Sequence, residues 1–288
     1  MTSNTSKVVS NKSRDGLWHL LNPIIVLCDL WRYHDLIWQL IKREVGQRYR
    51  GSYLGVLWSF ITPLLMLIIY TFVFSVIFKS SWKTSNETPI GEFALTLFAG
   101  LAAFNLFSEV INRAPTLILA VPSYVKKVVF PLEILPVVAV GSALANSMIT
   151  AGLVVIGSIL IQGRFSPTLF LLPLVYLPLC LLSLGLGWFL ASLGVYIRDI
   201  GQGISIVVQM LFFLSPVFYP VNIVPEPFRS VILINPLTLI LTEFRQTLLW
   251  GEMLDLKIWG LWLALTVVLA ILGYIWFMKT KKGFASVM

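Results

Sequence analysis

Reactive side chains are scarce in this chain, and each scarcity removes a class of function. Cysteine occurs twice, at Cys28 and Cys180, far apart and without metal-ligand spacing. That excludes a disulfide framework and a zinc site. Histidine also occurs twice, at His19 and His34, both near the start, so the body of the chain has no imidazole pair. No Gly-Lys dipeptide occurs anywhere, so there is no Walker A loop to cradle phosphates. HExxH and GxSxG are missing as well. Residues 1–16 are polar and carry no apolar core, so no cleavable signal peptide is expected. No internal repeat is visible, which weighs against transporters built from repeated halves.

Apolar residues are what the chain has. They make up 58% of 288 residues, with a mean hydropathy of +0.88. A soluble domain of this size could not bury so much apolar surface in one core, whereas a bilayer can. The expected fold class is therefore an all-α integral membrane protein with six transmembrane helices. The net charge of +8 is explained by a positive-inside bias, so nucleic acid is not expected as a partner.

Hydropathy places the spans at about 54–78, 92–118, 135–161, 168–194, 204–219 and 256–278. Between the last two, residues 220–252 hold apolar stretches too short to span, broken by Pro225, Pro227 and Pro236. They read as re-entrant or surface-lying helices. Before the first span, Leu30, Tyr33, Ile37, Ile41 and Val45 recur at helical spacing, with Trp31 and Trp38 beside them and Arg32, Lys42 and Arg43 opposite. This pattern predicts an amphipathic helix over 29–49 lying in the interface. The expected organisation is a cytoplasmic amino-terminal segment (1–28), an interface helix (29–53), a six-helix domain (54–278) and a cytoplasmic tail (279–288). Small residues at four-residue intervals, Gly141 with Ala145 and Ser183 with Gly187 and Ala191, predict close helix contacts.

Charge sets the expected orientation. Fourteen basic residues fall in 1–53, 119–134, 195–203 and 279–288, against six in the opposite connections, where six acids balance them. Both termini are thus expected in the cytoplasm of a multi-pass protein in the bacterial inner membrane.

Three groups of residues stand out. Glu109 and Arg113 lie four apart inside the second span and can neutralise each other there. Between spans two and three, Pro122 is placed to start a short helix and Pro131 to stop it. Lys126 and Lys127 give that helix a basic face; Tyr124, Val125 and Val128 give it an apolar one. It could dock into a partner's groove or simply be a solvated loop. Aromatics in the spans, Phe60, Tyr70, Phe104, Phe212, Phe213, Phe218 and Tyr219 among them, could stack on sugar rings or form lipid-facing bulk and an interfacial belt.

Six blocks then occur in order. They are Lys42-Arg-Glu with Arg48-Tyr-Arg-Gly-Ser-Tyr-Leu-Gly-Val-Leu-Trp58, Thr62-Pro-Leu64, and Val125-Lys-Lys-Val-Val-Phe-Pro-Leu-Glu-Ile-Leu-Pro136. Tyr196-Ile-Arg-Asp199, Leu211-Phe-Phe-Leu-Ser-Pro-Val-Phe-Tyr-Pro220 and Asn235-Pro-Leu237 follow. Over about residues 30 to 278 the chain resembles the membrane subunits of type-2 ABC exporters that move O-antigen, capsule and teichoic acid. The resemblance implies a homodimer paired with two copies of a separate ABC ATPase subunit, which would bind ATP and magnesium. This chain would bind no cofactor and would not itself be an enzyme. Lys42, Arg43, Pro122, Ser123, Tyr124, Lys126 and Lys127 would serve coupling to that ATPase. The 220–252 region would form gate helices on the outer side. The substrate would be a glycan on undecaprenyl diphosphate, threaded between two protomers, with the aromatics along its path. Two competing classes remain: a membrane glycosyltransferase, for which Glu109 is the only deeply placed acid, and a small-molecule exporter of the same fold, of the drug or haem class.

Overall fold

The computed structural model describes residues 28, 30–48, 50, 52–79, 82, 89–126, 130–163 and 166–288; for Val56 and Lys126 it describes the backbone only. The expected amino-terminal segment lies outside these residues except for Cys28, and so does Lys127. The described residues contain helices, turns and irregular connections, with no strand among them.

Helix α1 (His34–Arg48) carries Asp35 in its first turn and Arg48 in its last, both signs matching the helix dipole. Tyr33, Ile37, Ile41 and Val45 are half-buried, while Trp31, Trp38, Lys42 and Arg43 face outward. Helix α2 (Trp58–Thr71) contains Pro63 and continues as a π-helix through Ile77. Its only buried residue is Ser59; Leu65, Ile68, Ile69 and Phe72 are exposed, a surface that only lipid or another chain can cover.

Helix α3 (Ile90–Arg113), extended by a 3-10 turn to Thr116, is the strut of the bundle. Most of its side chains are buried. The run Ala99, Gly100, Ala102 and Ala103 lets its neighbours approach closely. After α4 (Pro122–Lys126), the long helix α5 (Ile134–Gln162) packs along α3 and ends on Gly163, which takes the left-handed conformation (φ 63°) that favours glycine. Helix α6 (Leu172–Tyr196) packs closely along α10 (Leu256–Thr280). A Cβ on Gly185 would come within 2.7 Å of the Leu269 carbonyl oxygen, and one on Gly273 would collide with the Gly185 carbonyl. The expected contact at Gly187 is ordinary packing, against Val110 and Pro136 at 3.6 and 3.7 Å, and the tightest approach of this pair lies two residues earlier.

The expected fifth span is the 15-residue helix α7 (Ile200–Leu214), which stops before Ser215. Pro216 disfavours a helical conformation at the residue before it, and Ser215 is extended (ψ 147°). At about 1.5 Å per residue, α7 reaches only about three-quarters of the ~30 Å apolar depth of a bilayer. The rest falls to the break 215–220 and to two short helices, α8 (Glu226–Ile234) and α9 (Pro236–Arg245), the latter continuing as a π-helix through Trp250. Their axes bend by 88° at Asn235, so the pair is re-entrant in form. Among the described residues five helices are long and apolar enough to cross a membrane, and the bent pair makes a sixth element if its halves count as one. The chain closes with α11 (Phe284–Val287), which packs near α4. Helices α1, α4 and α11 all gather at the Arg113 end of α3; the bent pair sits at the Thr96 end.

Candidate functional site

The charged residues at the Arg113 end form one network. Glu109 and Arg113 meet as the sequence predicts, at 3.5 Å. Their shorter bonds, however, go to α1. Arg113 Nη1 donates to Glu44 Oε1 at 2.5 Å. Arg48 forks onto Glu109, with Nη1 to Oε2 at 3.0 Å and a closer contact from Nη2 to Oε1. Arg48 also donates to Ser142 Oγ at 2.8 Å, and Asn146 Nδ2 to Glu109 Oε2 at 3.2 Å, so α5 is tied in. Two arginines and two glutamates sum to zero, which is how charges survive at membrane depth. The arrangement fixes the register of α1 on α3 and α5, the use best attested for partly buried ion pairs.

Above this network α3 carries a polar stripe, Asn105, Ser108 and Asn112, spaced for one helix face. Hydropathy alone does not single it out, because two amides and one hydroxyl still leave the span apolar enough to cross a membrane. Two cavities share the Asn105–Ser108 wall. One, of about 460 Å³, lies between α2, α3, α5 and α1 and is lined by Ser59, Thr62, Asn146 and the Arg48–Glu109 pair among others. The other, of about 310 Å³, lies between α3 and α7, with Ser205, Gln209, Phe104 and Phe212. Apart from the paired charges, the polar part of the lining is neutral hydroxyl and amide, groups that both donate and accept, set beside apolar Trp58, Pro63, Leu106, Phe104 and Phe212.

The aromatic residues singled out from the sequence separate into two sets. Phe104, Phe212, Phe218 and Tyr70 converge. Phe218 sits edge-on to Tyr70 (5.4 Å) and Phe212 (4.9 Å) and stacks on Phe74 at 4.5 Å. Phe104 meets Phe212 at 4.9 Å. Phe104 and Phe218 are buried, Tyr70, Phe212 and Tyr219 half-buried, and Phe60 and Phe213 exposed. Tyr219 donates its hydroxyl to the Phe213 carbonyl at 2.9 Å, holding the break against the end of α7.

Helix α4 is anchored on one side only. Tyr124 stacks on Phe130 at 4.5 Å, and both pack with Val125 against the cluster of Trp188, Phe277 and Phe284. Pro122 and Ser123 point outward. Lys281 Nζ donates to Glu133 Oε2 at 2.6 Å, tying the end of the chain to the start of α5. On α1, Lys42 lies over the ring of the exposed Trp38 at 4.9 Å, and Arg43 is exposed beside it. At the opposite end of α3, Arg245 is buried beneath the bent pair and donates to three backbone carbonyls. Charge counting along the sequence places Arg245 in a solvated connection, and only the 88° bend that folds α9 inward shows otherwise. Among the described residues no group of three or more His, Cys, Asp or Glu could hold a metal ion.

The same residues can be set beside known proteins. A family model described as ABC-2 type transporter matches residues 35–249. An O-antigen export system permease protein RfbA of Myxococcus xanthus is 30% identical over 221 residues, covering 75% of this chain and 81% of that protein. An RfbA of Klebsiella pneumoniae is 26% identical over 258 residues, with 88% and 95% covered. The polysialic acid transport protein KpsM of Escherichia coli is 26% identical over 217 residues, with 74% and 80% covered. On the family match and the 30% identical relative together, this chain belongs to the ABC-2 type transporter family.

Proposed function

We propose that this chain is the transmembrane permease subunit of an ATP-driven exporter that moves a lipid-linked cell-surface polysaccharide across the inner membrane. The names of its relatives support that reading, since they are O-antigen export and polysialic acid transport proteins. The observation that carries the substrate class is the polar stripe on α3 with its two cavities. A drug-type substrate is matched by an apolar pocket with few polar groups. A sugar chain instead offers hydroxyls at every unit, and neutral amides and hydroxyls answer them without trapping the polymer on a fixed charge. The half-buried rings of Phe212 and Tyr70 lie beside the stripe, backed by the buried Phe104, and supply stacking surface for the sugar rings.

The exposed face of α2 and most of α7 would be covered by a second copy, making the path between two protomers. ATP would be hydrolysed on a separate ATPase chain present in two copies. That chain would meet the outward side of α4, at Pro122 and Ser123, and the outer face of α1, at Lys42 and Arg43; the resemblance adds Lys126 and Lys127 to the same contact. The carrier would be undecaprenyl diphosphate, and both termini would lie in the cytoplasm. The domain limits that fit this reading remain 1–28, 29–53, 54–278 and 279–288.

Deletion of the gene tests the proposal. Surface glycan should disappear while lipid-linked polymer accumulates inside the cell. Normal surface glycan in the deletion strain, or loss of resistance to a small toxic compound instead, would move the chain to the drug or haem class.

A further inference from the structure

Four chain segments meet at one buried guanidinium. Arg245 Nε donates to the Thr96 carbonyl of α3 at 2.9 Å, Nη1 to the Pro216 carbonyl at 2.7 Å and Nη2 to the Val217 carbonyl at 2.8 Å. The ring of Trp82, from the connection between α2 and α3, lies 4.5 Å from Cζ. No carboxylate among the described residues pairs with it. A buried cation held by dipoles and a ring is costly to maintain, so its partners show what it is for. Pro216 and Val217 belong to the break after α7, where no helical N–H follows to satisfy their carbonyls. At membrane depth such carbonyls need a protein donor. A planar fork with donors on three nitrogens reaches all of them at once, which a single ammonium cannot do.

The surroundings are shaped for this group. A Cβ on Gly100 would collide with Arg245 Nη2 and come within 2.9 Å of Cζ, so only glycine leaves the guanidinium its place on α3. A second tie runs in parallel, from Asn235 Nδ2 at the bend of the pair to Ser215 Oγ in the break at 2.9 Å. The bend and the far end of α9 are thus both fastened to residues 215–217. The next residue, Phe218, is the ring that bridges α2 and α7 through Phe74, Tyr70 and Phe212.

We propose that Arg245 is a positioning residue that latches the break and the α8–α9 pair to α3, holding the Phe218 contact between α2 and α7 closed while the exporter is idle. The inference rests on the exporter reading, because a path wide enough for a polymer has to be sealed between transport events. Releasing the guanidinium would detach the break and the far end of α9 from α3, leaving the Asn235–Ser215 tie to carry the break and the bent pair as one unit away from the aromatic bridge.

The test uses the full chain with its ATPase subunit in cells that have no other route for o-nitrophenyl galactoside. Arg245→Met and Arg245→Lys should each admit this probe several-fold faster than the wild type, at equal protein level in the membrane and with ATP hydrolysis retained. The lysine variant separates geometry from charge: it keeps the cation but cannot span three carbonyls. Gly100→Ala should leak in the same way by displacing the fork. The double variant Gly100→Ala with Arg245→Met should leak no more than Arg245→Met, because the added methyl has no guanidinium left to displace. A tight membrane in the lysine variant, or strictly additive leaks in the double variant, would overturn the latch. If Arg245→Met does not reach the membrane, the lysine and alanine variants decide. No glycan enters the measurement, so a tight barrier would sink the latch while leaving the substrate class to the deletion experiment.

Discussion

Single residues decide how the helices of this protein are held at each end of α3. The Arg48–Glu109 fork is partly buried and hydrogen-bonded, and removing one partner leaves the other desolvated. Hydrogen bonds to charged groups contribute roughly 1.5–3 kcal/mol, so Glu109→Gln and Arg48→Ala should each lower stability by about that amount. Thermal unfolding of the detergent-solubilised protein measures it. The exchanged pair Arg48→Glu with Glu109→Arg should recover little, because it sets position 109 against Arg113 and position 48 against Glu44; full recovery would mean that the pair acts independently of the rest of the network. Close backbone approach is the second residue-scale device. Gly273→Ala forces a methyl into the Gly185 carbonyl, and overpacking of this kind costs about 1–3 kcal/mol. The same melt should show Gly187→Ala nearly neutral, since a Cβ there meets only ordinary contacts. The sequence made part of this legible. Glu109 and Arg113 pair by spacing alone, and small residues announce close packing. It could not reveal that Arg48 and Glu44 take the stronger bonds, because those partners lie 61 and 69 positions away. Nor could it choose Gly185 over Gly187, since the choice depends on how α6 rotates against α10.

At the scale of elements, long apolar helices were legible almost to the residue. Spans expected at 135–161 and 256–278 run Ile134–Gln162 and Leu256–Thr280. A 20-residue apolar run has one stable solution in lipid, and hydropathy finds it. The region from Ser215 to Trp250 was legible only as irregular, because its shape comes from proline breaks and from side-chain donors to free carbonyls. Helix α4 shows the other limit. Proline placement predicts its start at Pro122, while its anchoring by Tyr124 on Phe130 is a tertiary fact. That anchoring has a consequence for function. With the apolar face committed to the bundle, the outward face is left for a partner. Lys126→Glu with Lys127→Glu, the basic pair that follows Ser123 in the sequence, should abolish export while the protein stays in the membrane. Surface substitutions usually cost within about 0.5 kcal/mol of folding stability, whereas like charges brought together at an interface cost several. Glycan export measured beside protein level checks this. Normal export from the double variant would reduce α4 to a topology signal. The exposed Phe213 and the buried Phe218 offer a matched comparison on the same wall. Phe218→Leu should admit the small galactoside probe through loss of the bridge to Phe74, and Phe213→Leu should lower export only if its ring meets the polymer.

The whole molecule is asymmetric from end to end, and that asymmetry makes its orientation testable as a single unit. One end of α3 gathers α1, α4 and α11, and the other carries the bent pair. By the order of the spans in the sequence, fourteen basic residues belong to the connections of the first end and six to those of the second. Lysine and arginine in short connections are retained on the cytoplasmic side during insertion, so the first end should face the cytoplasm. Three positions report on this, after replacement of Cys28 and Cys180: Ser123→Cys on the outward face of α4, Ser286→Cys on α11, and Met253→Cys between α9 and α10. All three are exposed, so reactivity depends on side and not on burial. A membrane-impermeant maleimide added to cells with a permeabilised outer membrane should label position 253 and spare 123 and 286 until the inner membrane is opened. Because positions 123 and 286 share one end of the bundle, they must give the same answer. Disagreement between them would overturn the packing of α11 near α4. Labelling of both from outside, with 253 protected, would leave the fold intact and invert the molecule. In that case the outward face of α4 could not meet a cytoplasmic ATPase, and the coupling proposal would fall with the orientation.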